Sequence, residues 1–82
     1  MLKNDFIKFL RRNCWEKTST DTEDNWRYMT DYAEYTFEYI DIDGDIVRFT
    51  WERMYWGGSD IETKEYTFDS FVNAYEHDYL RN

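Results

Sequence analysis

Apolar residues recur every third or fourth position at the two ends of this chain and every second position between them. Leu2, Phe6, Ile7, Phe9, Leu10 and Cys14 fall on one broad face at helical spacing, with Lys8, Arg11 and Arg12 on or toward the other. The spacing predicts an amphipathic helix over 2–14, whose two arginines suit the negative end of its dipole. Phe68, Phe71, Val72, Tyr75 and Tyr79 repeat the pattern and predict a second helix over 67–80. Thr67 is placed to cap it and Asp69 lies in its first turn. The stretch EKTSTDTEDN, residues 16–25, has no apolar residue and reads as a solvated loop with a mobile tip.

Residues 26–66 read as strands. Ala33, Tyr35, Phe37 and Tyr39 alternate with Glu34, Thr36, Glu38 and Ile40, and Val47, Phe49, Trp51 and Tyr55 alternate with Arg48, Thr50, Glu52 and Met54. Gly57-Gly58 marks the next turn. A two-residue Gly-Gly loop sets Trp56 opposite Ser59, Met54 by Ile61, Arg53 by Glu62 and Phe49 by Tyr66. For the first hairpin, a two-residue Asp43-Gly44 loop mixes the faces. A three-residue loop, Ile42-Asp43-Gly44 with Gly44 left-handed, pairs Ile40 with Ile46, Tyr39 with Val47, Glu38 with Arg48, Phe37 with Phe49 and Tyr35 with Trp51. That register gathers the large apolar residues on one face. The expected fold is α+β in one domain, 1–82: N-terminal helix, three-stranded antiparallel meander, C-terminal helix, with both helices on one face of the sheet.

Composition agrees with a folded core. Phe, Trp and Tyr make up 22% of the 82 residues, and a buried ring removes about 150–250 Å² from water. Charge is lopsided within a net −8: residues 1–17 carry five bases and two acids, the remainder five bases and sixteen acids. Such a surface repels nucleic acid and anionic lipid and steers toward basic partners, though solubility alone also accounts for it. A lone cysteine, Cys14, rules out an internal disulfide and suits a reducing, cytoplasmic setting. It reads as a small core residue at the end of the first helix. The opening MLKNDFIKFLRRN is too interrupted by charge for a signal peptide or membrane span.

The chemistry-bearing patterns point away from catalysis. His77 is the only histidine, and no Ser–His–acid or Cys–His spacing or phosphate-binding glycine loop is present. No cofactor and no metal is expected, and the chain is not read as an enzyme. The stretch DIDGD, residues 41–45, imitates a calcium loop at Asp41, Asp43, Asp45 and Glu52. It places Ile46 where that loop needs glycine, and its flanks are strand-patterned.

The same stretch is therefore a hairpin tip, with a structural reason for Gly44 and none for Asp41, Asp43 and Asp45. The water-facing side gathers more acid: Glu34 lands opposite Glu52, which costs up to about 1 kcal/mol, with Glu38 and Glu65 on the sheet and Asp21, Glu23 and Asp24 in the 16–25 loop. Small surface penalties of this kind accumulate harmlessly in many proteins. They equally suit negative charge spread to meet a positive surface. Ile40 and Ile46 near the tip, and Met54, Trp56 and Ile61 at the opposite end, are expected to be partly exposed, Trp56 as an anchor for a partner.

With its helix opening KNDFIKFL and its hairpin IDIDGDIVRF, the chain resembles small phage-encoded type II-A anti-CRISPR proteins that mimic DNA. The likeness lies in size, acidity and the order helix, three-stranded sheet with an Asp-Gly hairpin, helix. It implies that Asp43 and Asp45 enter the basic groove with which a CRISPR effector nuclease reads the duplex beside its target. The partner expected is a basic nucleic-acid-binding protein, with no direct binding of nucleic acid or membrane, and the chain acting as monomer or homodimer in the host cytoplasm. The alternatives are a small acidic immunity protein or antitoxin against a basic toxin nuclease, or a phage structural accessory protein.

Overall fold

The computed structural model describes residues 1–29 and 36–80. Seven elements follow in chain order: α1 (Lys3–Arg12), β1 (Glu16–Lys17), β2 (Asn25–Met29), β3 (Thr36–Asp43), β4 (Ile46–Tyr55), β5 (Gly58–Thr67) and α2 (Phe68–Glu76). The α+β class stands. The sheet, however, has five strands rather than three, all antiparallel, in the order β1-β2-β3-β4-β5. Of the two added strands, β1 lies within the stretch 16–25 read as loop and β2 begins at its last residue. Trp26, 2% exposed, is the residue that draws β2 onto the core.

Both helices form where expected but are shorter than their apolar periodicity predicts, Lys3–Arg12 within 2–14 and Phe68–Glu76 within 67–80. In α1, Phe6, Ile7, Phe9 and Leu10 are buried, with Asp5 in the first turn and Arg11 and Arg12 in the last. Thr67 caps α2 through a reciprocal box with Ser70. Each helix closes with the same left-handed device. Cys14 takes φ 65° while Trp15 N–H donates to Leu10 O at 3.0 Å; Asp78 takes φ 60° while Tyr79 N–H donates to Ala74 O at 2.8 Å. Cys14 is exposed, not a core residue: the backbone reversal turns its side chain outward and buries Trp15 in its place.

Two-residue turns set the sheet register. Gly44 and Asp45 form the β3–β4 turn, with φ +60° at Gly44, the first central position. Positive φ there and not at Asp45 marks a type II′ turn, whose twist matches that of the strands. The three-residue loop is thereby overturned. Ile40 pairs with Phe49, Ile42 with Val47, Asp41 with Arg48 and Glu38 with Trp51. Ile40, Ile42, Val47 and Phe49 face the core, while Phe37 and Tyr39 take the opposite face. Strand β3 is apolar at both parities, and the turn register, which sets Ile40 beside Phe49 and Ile42 beside Val47, sends that parity inward and takes Glu38 with it. The β4–β5 turn is Trp56-Gly57, not Gly57-Gly58; Phe49 lies opposite Lys64 and Val47 opposite Tyr66. A shift of two residues leaves every side chain on its expected face.

The buried side chains of α1, α2 and alternate strand positions join in one cluster, with Phe71 fully buried at its centre. The Phe71 ring meets Phe6, Phe9, Trp15, Phe49, Tyr66 and Tyr75 at centroid distances of 5.4–6.5 Å. The pairings expected for Ala33, Glu34 and Tyr35 lie outside the described residues.

Phe71→Ala is expected to cost about 3–5 kcal/mol, measured by urea unfolding. Cys14→Gly is expected to stabilise the fold by about 0.5–1 kcal/mol, since glycine relieves the left-handed strain and no packing is lost at an exposed site. The readout is a thermal midpoint higher by a few degrees.

Candidate protein-binding surface

The sheet face opposite the core is built from cross-strand rows. One runs Asn25–Asp41–Arg48–Glu65 and the next Glu16–Arg27–Tyr39–Thr50–Thr63. Alternation along each strand brings these polar positions together once Ile40, Ile42, Val47 and Phe49 have gone inward. In the second row Arg27 pairs with Glu16 at 3.6 Å, and the Thr50 and Thr63 hydroxyls lie 2.9 Å apart.

Arg48 organises the first row. Its guanidinium reaches Asp43 at 3.1 Å and Asp41 at 3.8 Å. Asp41 also accepts a hydrogen bond from Asn25 Nδ2 at 3.1 Å. Two of the three tip aspartates therefore serve the hairpin, which corrects the expectation that folding has no use for them. The third, Asp45, makes no ion pair among the described residues, and neither do Glu52 and Glu65.

The remaining predicted acids separate. Glu38 is 8% exposed on the core side. It faces a pocket of about 420 Å³ lined also by Trp15, Tyr28, Tyr75, Asp78 and Leu80, so it is no part of the outer surface. Burial, helped by Tyr28, Cys14 and Asp78, pushes the Tyr75 phenol above its usual range there. Glu23 and Asp24 turn back onto α1, Glu23 to Arg11 at 3.8 Å and Asp24 to Lys3. Their loop is held by Ser19 and Thr22 hydroxyls accepting backbone N–H groups and by Trp26 Nε1 donating to Glu23 O. The tip read as mobile is thus tied at several points, with Asp21 exposed at its bend. Glu34 lies outside the described residues, and Glu52 has Phe37 as its β3 neighbour.

Exposed apolar residues cluster at the other end of β4. Trp56, at the β4–β5 turn, is fully exposed, and Ile61 and Met54 are 63% and 44% exposed. Ile46 is partly buried, and Ile40 is not exposed at all. Asp45 and Trp56 flank β4, whose ten residues span about 30 Å. The acidic and apolar tips are therefore two separate contact points.

Sequence reasoning missed Arg48 as the hub of this face. Glycine at the first central turn position was the signal: read as a type II′ turn, it puts Asp41 opposite Arg48. Among the described residues no group of three or more His, Cys, Asp or Glu is placed to hold a metal ion, and no helix is long and apolar enough to cross a membrane. No protein-family model, curated protein or solved structure matches the chain.

Arg48→Gln is expected to cost under about 1 kcal/mol, because the pairs it breaks are solvent-screened. The loss should shrink as salt rises, measured by urea unfolding at low and high ionic strength.

Proposed function

We propose that this chain is an acidic protein-binding inhibitor that acts as a DNA mimic. Its outer sheet face would stand in for phosphates in the basic groove of a nucleic-acid-binding protein. The observation that carries the reading is an imbalance of charge. Among the described residues Glu16, Asp41, Asp43, Asp45, Glu52 and Glu65 share that face and its tip with only two cations, Arg27 and Arg48. Among the described residues Asp45, Glu52 and Glu65 have no ion pair to give up on binding. Engaging them costs desolvation but breaks no internal bridge.

We read both helices as stacked on the face that carries Trp26, Ile40 and Phe49, which leaves the acidic face open for docking. Asp45 and Glu65 are the principal contacts in this reading, Asp41 and Asp43 shape the tip around Arg48, and Glu38 has no part. The resemblance to anti-CRISPR proteins names the partner class, a CRISPR effector nuclease, with the chain acting in the host cytoplasm as an inhibitor and not an enzyme.

The test uses a guide-loaded type II-A CRISPR nuclease and a labelled target duplex. The protein is expected to displace the duplex, with binding that weakens steeply as salt rises. Asp45→Lys combined with Glu65→Lys is expected to weaken displacement by at least about tenfold, with an unchanged circular dichroism spectrum. Failure to displace the duplex at micromolar protein, or displacement indifferent to the reversal, overturns the reading.

A further inference from the structure

Strand β5 forms one edge of the sheet and, among the described residues, pairs only with β4. Of its ten residues only Tyr66 is buried. The two-residue turn makes Tyr55 and Gly58 a mutually hydrogen-bonded pair, so alternate β5 residues bond to β4 and the others turn their backbone outward. The outward set is Ser59, Ile61, Thr63, Glu65 and Thr67, and Thr67 N–H indeed donates to Ser70 Oγ at 2.8 Å and not to β4. From Ile61 to Glu65 this edge offers N–H and C=O groups that a further strand would satisfy.

Charged side chains on an edge strand ordinarily block such pairing. Those of β5 are arranged so that one register turns them into attraction. In an antiparallel pair of β5 strands related by a two-fold axis, a centre at Glu62 opposes Asp60 to Lys64 twice but sets Glu62 against itself. A centre at Ile61 sets Asp60 against Glu62, and a centre at Lys64 sets Lys64 against itself. A centre at Thr63 opposes Lys64 to Glu62 of the other copy twice, with Thr63 facing Thr63 and Ile61 facing Glu65. In that register the outward-facing backbone groups of Ile61, Thr63 and Glu65 meet their counterparts.

We propose that the β5 edge is the interface between two copies of this chain, joined in the Thr63-centred register into a continuous ten-stranded sheet. The occupant is a second copy because, of the registers centred from Ile61 to Lys64, only the Thr63-centred one opposes opposite charges without also opposing like ones. The two outer faces then run on as one surface, whatever partner that surface meets.

Sedimentation equilibrium across a concentration series tests this with the charges exchanged. The wild-type chain is expected to dimerise. Glu62→Lys and Lys64→Glu, each alone, put like charges opposite at both positions and are expected to weaken the dimer at least about tenfold. Mixing the two single variants in equal amounts restores opposite charges at both positions and is expected to restore association, as is the double variant with itself. Recovery in the mixture also shows that neither single variant lost its fold. A wild-type chain that stays monomeric to millimolar concentration, or a dimer indifferent to these exchanges, overturns the proposal.

Discussion

The contact of Phe71 with both helices and the sheet is the interaction on which the rest of the structure depends. Its ring lies against Phe6 and Phe9 of α1, Phe49 of β4 and Tyr66 of β5, and against Trp15 where the chain leaves α1. A chain of 82 residues buries a smaller fraction of its surface than a larger domain and leaves little margin. Aromatic side chains meet that constraint by burying much area each and by favouring edge-to-face packing, the geometry of most Phe71 contacts. The left-handed turn at Cys14 belongs to the same solution, since it is what swings Trp15 into the cluster.

Filling one side of the sheet in this way determines the other. With Ile40, Ile42, Val47 and Phe49 directed inward, the intervening residues Asp41, Arg48, Glu65 and their neighbours must share the opposite face. Arg48 stands between carboxylates on both flanking strands and offsets part of their mutual repulsion. The residual charge belongs to Asp45, Glu52 and Glu65, a smaller and better-defined set than the acid count suggests. The apolar residues Met54, Trp56 and Ile61 lie at the far end of β4, so no single small partner surface engages both tips.

Much of the fold was legible from the spacing of apolar residues. Both helices, the Thr67 cap and the strands β4 and β5 follow from periodicity and from the turn residues that bound them. The site was less legible. Glu38 and Tyr39 illustrate the difficulty, since β3 alternates aromatic and aliphatic residues and both parities look like a core face. Cys14 illustrates it differently: helical periodicity continues one turn beyond where the helix stops. The acids Glu23 and Asp24 read as free loop charge because their partners, Arg11 and Lys3, are distant in sequence.

The sequence by itself determined an aromatic-rich α+β domain with an acidic surface, because helix and strand periods and net charge are local or additive properties of the chain. Only the tertiary structure decided which parity of β3 is buried, which carboxylates share Arg48, and that β1 and β2 extend the sheet. Each of these turns on register, and a register is chosen by the sum of turn geometry, core filling and ion pairing across strands, none of which a single strand contains. The DIDGD stretch shows the division. Its composition announces a turn, but Asp41 and Asp43 became structural and Asp45 exposed only when Gly44, at the first turn position, brought Arg48 opposite Asp41.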